Sequence, residues 1–332
     1  MDIFLGASVR EHYLEQPLTL IDVGARGGLQ PNWKRARDHL MLVGFEPDPE
    51  EHARLARKND PNALYINAAL HRAPAELSLN VGREGGTSSL LEPNWDYLNR
   101  FPDPRRYEVV RRVAIKVDTL DRILFEHEVR DADFVKIDTQ GAELAILEGA
   151  RATLAEQVFG VELEVLFGPL YVGQPRFGQL DDALDALDFQ LMDLRPSYWK
   201  RATGARYGGP KGQIAFGDAL YFKTERRFQQ DLDRIADVRK RRAKLLRAMS
   251  ICLLYGYVDY AVELFRPNRE LYETSVAAEV SRQLESDVRL STRMPHFRGR
   301  GFLSNLLYRL HRLFFPTKGG WASADPYLGN VD

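Results

Sequence analysis

The chain has 332 residues, and its 46 Lys and Arg against 47 Asp and Glu give a formal net charge of −1 at pH 7. This balance provides no overall attraction to nucleic acid, so no nucleic-acid partner is expected. Hydrophobic residues make up 44% of the chain, which is enough for a large core and excludes a disordered protein. Cys252 is the single cysteine, which excludes an intramolecular disulfide and disfavours a thiolate metal site.

The N-terminal sequence and the distribution of apolar residues predict the localisation of the protein. The N-terminal sequence lacks the basic and long apolar segments of an export signal. No window approaches the roughly 18 uninterrupted apolar residues that a bilayer-spanning helix needs. We therefore expect a cytoplasmic protein without a transmembrane segment.

Short apolar runs alternate with helical periodicity through the first two thirds of the chain, which predicts an α/β fold around a parallel sheet. The predicted strands are Leu18–Val23, Leu40–Glu46, Ala63–Asn67, Asp133–Asp138, Val158–Val165, Phe189–Leu194 and Gln213–Phe222. The predicted helices between them are Pro49–Asn59, Thr119–Val129, Ala142–Leu154 and Leu180–Leu187. Residues Ala75–Arg112 break the rhythm with an alternating run and a Gly-rich turn, which predict a hairpin and a loop over one rim of the sheet.

After about Thr224 only helical patterns remain, so we predict a first domain over residues 1–224 and a helical extension over 225–332. The helical patterns cover Phe228–Leu254, Tyr257–Phe265 and Leu271–Leu284. The favoured interpretation is that these helices pack on the catalytic domain or on a second subunit, as in a homodimer.

The last helix, Phe302–Phe315, carries an apolar face with arginines around it, and the tail after Pro316 is expected to be loose. Such a helix also suits a peripheral contact with anionic lipid at the inner face of the membrane.

The strongest local motif is LIDVGARGG, a hydrophobic strand that runs into a Gly-rich turn at residues 20–28. Glycines in such a turn let the backbone approach a ligand and adopt positive φ. The G-x-G-x-x-G pattern fails at Arg26 and Leu29, which argues for a nucleoside ligand with little or no phosphate. Asp22 is placed to face an ammonium group of that ligand. A plain strand-to-helix turn is the alternative.

The second motif is GFEPDP at residues 44–49, in which a strand ends on a carboxylate before a helix. An acidic group at the end of the second strand accepts both hydroxyls of a ribose, which assigns that role to Glu46. The alternative is that Glu46 or Asp48 caps the following helix, and Asp48 suits that role better.

The third motif is a strand that ends at Asp138, turns at Gly141 and enters a helix. Lys136 and Asp138 lie two apart and therefore share a face of the sheet. Asp138 is a candidate general base or partner of the ligand's ammonium group. Lys136 and Asp138 could instead form an ion pair, and Glu143 could serve only the helix dipole.

These motifs together resemble the FkbM-type family of S-adenosylmethionine-dependent O-methyltransferases. The similarity spans about residues 18–222 and includes IDVGARGG, GFEPD, NAAL at 67–70, TSSL at 87–90, VDTLDRIL and FVKIDTQGAELAILEGA. It implies a class I methyltransferase fold, a Rossmann-like, seven-stranded, mostly parallel sheet with an antiparallel last strand and helices on both faces. Two departures are Arg26 with paired glycines in the first turn, and Gln140 where the family usually has Glu.

The resemblance also implies a cofactor site for S-adenosylmethionine, whose product is S-adenosylhomocysteine. Asp22, Gly24 and Gly27 would line the methionine portion, Glu46 the ribose, and Asn67 with Ala68 the adenine. The full set of expected cofactor residues is Asp22, Gly24, Ala25, Arg26, Gly27, Glu46, Pro47, Asn67, Ala68 and Asp138.

Transfer of a methyl group to a hydroxyl needs alignment and a base. The candidate bases are Asp138 and the pair Glu162 and Glu164, with His71 in reserve; a strand-end ion pair is the alternative for the two glutamates. An aromatic and cationic loop over Arg195–Lys211 suits a polar or anionic glycan, and it would also suit RNA. A disordered surface loop is the alternative. Ser88, Tyr171, Trp199 and Arg201 are the candidate substrate residues.

The seven histidines show no paired ligand spacing, so no metal site is expected. The predicted function is O-methylation of a sugar hydroxyl in a glycan, glycolipid or nucleotide sugar. One alternative is methylation of a non-sugar natural product or an N-methyl transfer. Another is a catalytically silent cofactor-binding module that acts through its helical extension.

Overall fold

The computed structural model describes residues 13, 15–207, 211–286, 295, 297–314, 321–325 and 328. Its strands are β1 (Leu18–Val23), β2 (Leu40–Phe45), β3 (Ala63–Ile66), β4 (Ala69–Leu70), β5 (Ala75–Gly82), β6 (Val109–Asp118), β7 (Phe134–Ile137), β8 (Gly160–Leu166), β9 (Phe189–Trp199), β10 (Gln213–Lys223) and β11 (Ala322–Ala324). Its helices are α1 (Pro49–Ala56), α2 (Trp95–Leu98), α3 (Leu120–Glu126), α4 (Glu143–Gly149), α5 (Arg151–Glu156), α6 (Phe177–Asp185), α7 (Glu225–Arg234), α8 (Val238–Leu254), α9 (Val258–Phe265), α10 (Thr274–Ser286) and α11 (Arg300–Phe314).

In the described part of the chain, the main sheet has eight strands in the order β11-β9-β10-β8-β7-β1-β2-β3. Strands β3, β2, β1, β7 and β8 are parallel, whereas β10 runs antiparallel to both β8 and β9. The predicted class I architecture is confirmed: seven strands form a mostly parallel sheet, and the last of them along the chain is antiparallel. The eighth strand, β11, was not predicted.

Strand β1 explains why the sheet has a core on each face. All six of its residues are buried, and successive side chains point to opposite faces. Leu18 and Leu20 join the core beneath helices α7–α10, whereas Ile21 and Val23 join the core beneath α3–α6. The sequence of a strand that is buried on both faces is nearly continuously apolar, as in LTLIDV.

The helical region after Thr224 covers one face of its own chain's sheet. Thr224 accepts a hydrogen bond from Arg227 N at 3.3 Å and thereby caps α7. The Tyr255 ring, at the end of α8, stacks on the Phe134 ring of β7 with centroids 5.5 Å apart. Aromatic burial of this kind makes the helices part of the main hydrophobic core.

Two predicted helices are broken in the structure. The predicted stretch Phe228–Leu254 separates into α7 and α8, because Asp237 accepts hydrogen bonds from the amides of Arg239 and Lys240 and starts a new helix. The predicted helix Ala142–Leu154 separates into α4 and α5 at Ala150. There the Asp121 carboxylate binds the amides at the start of α5, a contact from a distant element that helical periodicity cannot show.

Two predictions of irregular structure were wrong. The predicted loop Arg195–Lys211 is strand up to Trp199, because β9 continues to pair with β10 across two register shifts. The tail after Pro316 was expected to be loose, yet Ala322–Ala324 forms β11 against β9. The antiparallel pairing predicted in the insertion is confirmed, since β5 and β6 pair in a second sheet of order β4-β6-β5. The second strand was placed wrongly, because β6 begins only at Val109, well after the Gly-rich turn, and continues past Arg112 to Asp118.

A buried ion cluster fastens α8 to the sheet. Asp133, at the start of β7, is 1% exposed. Its carboxylate lies 2.8 Å from Lys244 Nζ and 2.9 Å from Arg247 Nε, and it accepts a hydrogen bond from Thr19 N at 2.9 Å. Asp131 binds the same two cations from a half-exposed position.

We expect Asp133→Ala to lower the free energy of unfolding by about 3–5 kcal/mol, because it leaves two buried cations without their main partner. Chemical denaturation followed by circular dichroism measures the effect. Asp131→Ala removes a half-exposed carboxylate from the same cations and is expected to cost clearly less. If the two variants lost the same free energy of unfolding, the buried position of Asp133 would not explain its contribution to stability.

No helix in the described residues is long and apolar enough to cross a membrane.

Candidate active site

A cavity of about 380 Å³, here called the large cavity, opens at the carboxyl ends of β1, β2 and β7. In open α/β sheets this edge is where ligands bind. The main sheet and the turns that follow its strands line it with Val23, Gly24, Arg26, Phe45, Glu46, Pro47, Asp48, Ala68, Asp138, Thr139, Gln140 and Glu164. Ala69, in β4 of the second sheet, also lines it. Leu79, Val81 and Ile115 of the second sheet and the turn Gly85–Ser88 cover it from the other side.

The glycine turn after β1 requires glycine at position 24. Gly24 has φ +90°, and an added Cβ would lie 2.3 Å from the Asp138 carbonyl oxygen. The amides of Gly24 and Ala25 both donate to the Phe45 carbonyl, which holds the turn against the end of β2. Gly27 differs, since an added Cβ there meets no atom within 4 Å.

We therefore expect Gly24→Ala to reduce both stability and cofactor affinity, since the side chain would push β1 away from β7 in a backbone region that disfavours it. Thermal unfolding and calorimetric titration with S-adenosylhomocysteine measure the two effects. A loss of 1–3 kcal/mol in stability is the order expected for such strain. Gly27→Ala is the matched control, and a similar loss there would contradict the argument.

Glu46 projects a buried carboxylate into the cavity at the end of β2. It is 5% exposed, and its Oε1 accepts a hydrogen bond from Asp48 N at 2.9 Å. Burial raises the pKa of this carboxyl, and the charge of Arg26 acts in the opposite direction. Asp48 itself caps α1 by accepting hydrogen bonds from the amides of Glu50 and Glu51, as the sequence indicated. Glu46 is thus available to a ligand.

Asn67 and Ala68 follow β3 beside this carboxylate. Asn67 Nδ2 donates to the Glu46 carbonyl oxygen at 2.8 Å, so its side chain holds the end of β2 in place. Ala68 lines the cavity, whereas Asn67 does not. Arg26 reaches across the cavity and donates to the Gly85 carbonyl at 3.4 Å. This contact joins the glycine turn to the covering turn.

The turn after β7 is held by Glu143. Its buried carboxylate accepts hydrogen bonds from the amides of Thr139 and Gly141 and from the Thr139 hydroxyl, at 2.9–3.1 Å. Gln140 therefore sits at the tip of the turn with φ +58°, a left-handed conformation that is uncommon for this residue. Strain of this kind is frequent at functional sites.

Gln140 connects three side chains at the end of the cavity. Its Nε2 donates to Glu164 Oε2 at 2.6 Å and lies 3.2 Å from Asp138 Oδ1. Its Oε1 lies 3.0 Å from the Tyr171 hydroxyl. The amide can donate to two carboxylates at once, which a glutamate at this position could not do.

Glu164, on β8, is buried and lines the cavity at this end. Burial raises the pKa of Glu164 well above the usual value, and the charge of Asp138 acts in the same direction. A carboxyl with a raised pKa is a stronger base once it is ionised. Asp138 also lines the cavity, but it is exposed and lies 3.9 Å from Lys136 Nζ.

Asp22 and Glu162 lie below the cavity rather than in it. Lys136 Nζ is 3.6 Å from Asp22 Oδ1, and both side chains are buried on the face of the sheet that α8 covers. Glu162 accepts a hydrogen bond from the Tyr255 hydroxyl at 2.6 Å. Burial raises the pKa of both carboxyls. Neither lines the cavity, so the structure does not bring them to a ligand there.

A second cavity of about 160 Å³ adjoins the first, and the two share Gly86, Gln140 and Glu164. Its other lining residues are Glu84, Thr87, Arg106, Tyr107, Leu170, Trp199 and Phe216. The Arg106 guanidinium lies 4.7 Å from the centroid of the Trp199 ring and 5.0 Å from that of Tyr107. Glu164 therefore stands between a large cavity and a small aromatic one.

Of the other residues that the sequence suggested for substrate binding or catalysis, only two line a cavity of the active site. Ser88 lines the large cavity, and Trp199 lines the small one. Tyr171 is buried behind Gln140, and its hydroxyl also lies 3.1 Å from the Thr87 carbonyl. Arg201 is exposed and donates to Gln213, outside both cavities. His71 lines neither of them.

The sequence did not single out Arg106, Glu84 or the apolar cover formed by Leu79, Val81 and Ile115. The alternation in AELSLNV marked Leu79 and Val81 as one face of a strand, and that signal was sufficient to expect a buried contact. Arg106 carried no comparable signal, since its partners Trp199 and Trp321 are far away in sequence.

An open, mostly parallel sheet with an antiparallel last strand, a glycine turn after β1 and a buried carboxylate after β2 define a class I methyltransferase. Residues 22–191, just over half of the chain, match the methyltransferase FkbM domain. The chain belongs to this family and is an S-adenosylmethionine-dependent methyltransferase.

Several solved methyltransferases are similar in structure. A precorrin-6y C5,15-methyltransferase from Geobacter metallireducens is 10% identical with a TM-score of 0.32, over 66% of this chain and 86% of that one. A magnesium protoporphyrin IX methyltransferase from Synechocystis, solved with bound cofactor, is 8% identical with a TM-score of 0.33, over 66% and 77%. A 16S rRNA (adenine(1408)-N(1))-methyltransferase from Catenulisporales acidiphilia is 14% identical with a TM-score of 0.32, over 65% and 90%. Among curated protein sequences, none matches this chain.

The residues present fit the cofactor that this class uses. The cavity offers a buried carboxylate for hydroxyl groups, a glycine turn whose backbone closely approaches β7, and apolar walls at Phe45, Leu79 and Val81. In the described part of the chain, no group of three or more His, Cys, Asp or Glu is arranged to hold a metal ion.

Proposed function

We propose that this methyltransferase acts in the cytoplasm on a sugar hydroxyl of a glycan, glycolipid or nucleotide sugar. The observation that carries the proposal is the position of Glu164, a buried carboxylate shared by the large cavity and the small aromatic one. A base at that junction can reach an acceptor hydroxyl in the small cavity while the cofactor occupies the large one.

The cofactor contacts follow from the lining of the large cavity. We assign the ribose hydroxyls to Glu46, since a buried carboxylate at the end of β2 makes charge-assisted hydrogen bonds to them. We assign the adenine to the apolar walls around Phe45, Leu79 and Ala68. We assign the amino group of the methionine portion to Asp138, beside Gly24. When bound, the cofactor supplies an electrophilic methyl group on a sulfonium.

The chain's own part in the reaction is to align the acceptor and to remove one proton. Glu164 would accept the proton of the acceptor hydroxyl. The cofactor would supply the methyl group to that oxygen and leave as S-adenosylhomocysteine. Gln140 holds the Glu164 carboxylate through its 2.6 Å hydrogen bond.

The small cavity favours a sugar. Trp199, Phe216 and Tyr107 provide aromatic surfaces, on which the apolar faces of sugar rings pack. Glu84 and Arg106 add groups that bind hydroxyls and anions. An acceptor with a carboxylate or phosphate near the methylated hydroxyl would use Arg106.

Incubation of the full chain with methyl-labelled S-adenosylmethionine and a panel of nucleotide sugars, glycans and non-sugar polyols tests the proposal. We expect label in a sugar, with nuclear magnetic resonance placing the new methyl on oxygen and with transfer by Glu164→Gln strongly reduced. Transfer to nitrogen, or to non-sugar acceptors alone, would contradict the assignment of the acceptor. If the protein bound the cofactor but transferred the methyl group to no class of acceptor, a catalytically silent cofactor-binding module would be favoured.

A further inference from the structure

Helix α11 (Arg300–Phe314) presents an apolar face that the described part of the chain does not cover. Every side chain from Gly301 to Leu310 is exposed, including Phe302 at 76% and Leu307 at 56%. Leu303, Leu306 and Leu310 are each 42% exposed. The other described helices of the C-terminal region bury their apolar faces against the sheet or against each other, so α11 differs from them in this respect.

The apolar residues lie on one face of the helix. At about 100° per residue, five apolar side chains fall within an arc of roughly 140° around the helix axis. In order around the helix they are Phe302, Leu306, Leu310, Leu303 and Leu307. Arg309 lies about 20° beyond one edge of this arc, and Arg300 about 20° beyond the other. Cations at both edges of an apolar arc are the arrangement of a helix that lies in a lipid interface.

The charge around α11 differs from that of the whole protein. Residues 288–324 contain seven Lys and Arg and no Asp or Glu, in a chain whose net charge is −1. A second copy of this chain would bring the same positive charge to the same face, which opposes self-association there. An anionic membrane surface complements both the charge and the apolar arc.

The helix is also tied to the proposed acceptor cavity. Seven residue steps separate Phe314 from Trp321, so the two lie at most roughly 25 Å apart. Trp321 packs against Trp199 with ring centroids 5.4 Å apart, and Arg106 lies 4.7 Å from the Trp321 ring. Strand β11 pairs with β9 directly after this tryptophan. A membrane that holds α11 therefore lies near the small cavity.

We propose that α11 docks this protein on a membrane rich in anionic lipid, with its leucine face among the acyl chains and its arginines at the headgroups. This surface is separate from the methyl-transfer site. Membrane binding therefore does not depend on the proposed acceptor.

Co-sedimentation of the full chain with vesicles tests the proposal. Vesicles of phosphatidylcholine alone are compared with vesicles containing 30% phosphatidylglycerol. We expect binding to the anionic vesicles that weakens as salt is raised. We expect Leu306→Glu/Leu310→Glu to reduce the partition coefficient at least tenfold. Arg300→Gln/Arg309→Gln should reduce it roughly 25-fold on anionic vesicles, since each arginine near the surface contributes roughly a fivefold factor.

Val110→Glu/Phe125→Glu is the matched control, because it places the same two charges on exposed apolar residues of β6 and α3. It should bind vesicles as the wild type does. Equal partitioning of the wild type and Leu306→Glu/Leu310→Glu would overturn the proposal. The proposal would also be overturned if the wild type did not bind vesicles but formed a dimer in solution, and if Leu306→Glu/Leu310→Glu were a monomer. Both readouts are independent of methyl transfer.

Discussion

Glu164→Gln is expected to lower kcat about 10²–10⁴-fold, the usual contribution of a positioned general base, while the Kd for S-adenosylhomocysteine stays the same. The amide keeps the shape of the side chain and can still bond to Gln140, but it cannot accept a proton from the acceptor hydroxyl. Single-turnover transfer from labelled cofactor and calorimetric titration measure the two quantities on the same samples.

Glu162→Gln is the matched control for this experiment. Glu162 lies two residues earlier on the same strand and the same face, is also buried, and bonds to Tyr255 outside both cavities. We expect it to retain turnover. If both variants lost activity equally, the loss would reflect the structure of the strand, and Glu164 would not be the base.

The pH dependence follows from the same carboxyl. Transfer requires ionised Glu164, and burial raises the pKa of this group well above the ordinary value for glutamate. The rate should therefore rise with pH over a range above that in which an ordinary glutamate titrates. A transfer rate that no longer changes with pH in that range would contradict the assignment of Glu164 as the base.

Stability should change in the opposite direction. A carboxyl whose pKa is raised in the folded state binds its proton more tightly there than in the unfolded chain. The resulting stabilisation is present at low pH and is lost as the pH rises through the folded-state pKa. We therefore expect Glu164→Gln to be more thermostable than the wild type at neutral pH, which separates a catalytic loss from unfolding.

Glu46→Ala is expected to weaken binding of S-adenosylhomocysteine by about 1–3 kcal/mol, or about 5–150-fold, through loss of charge-assisted hydrogen bonds to the ribose. Calorimetric titration measures the change. Because the Oε1 contact to Asp48 N is local, the fold should persist.

Asp48→Ala provides the comparison for Glu46→Ala. Asp48 caps α1, so its removal should cost about 1 kcal/mol of stability and leave cofactor affinity largely intact. A reversal of the two effects, with Asp48 controlling affinity, would refute the ribose assignment of Glu46.

The elements that hold the cofactor cavity could be predicted from the sequence because they are local. A strand that runs into Gly24, a strand that ends at Glu46 and a strand that ends at Asp138 each carry their signal within a few residues. Parallel strands place their carboxyl ends at one edge, so these three positions meet without knowledge of the remaining contacts. The roles assigned to them stay predictions.

The acceptor side could not be predicted in the same way, because it depends on contacts between distant segments. Arg106 meets Trp199 and Trp321 only after the insertion folds over the sheet and the chain returns as β11. Two glutamates that share a strand face looked equivalent in sequence. Tyr255, the residue that follows α8, donates a hydrogen bond to Glu162, whereas Gln140 donates one to Glu164 at the cavity. Both partners come from outside the strand.

The most direct test of the account is calorimetric titration of the full chain with S-adenosylhomocysteine, with NAD as the control ligand. We predict one site of micromolar or tighter affinity for S-adenosylhomocysteine, no binding of NAD, and a clear loss of affinity in Glu46→Ala. A folded protein that binds neither ligand would contradict the assignment of the large cavity as a cofactor site.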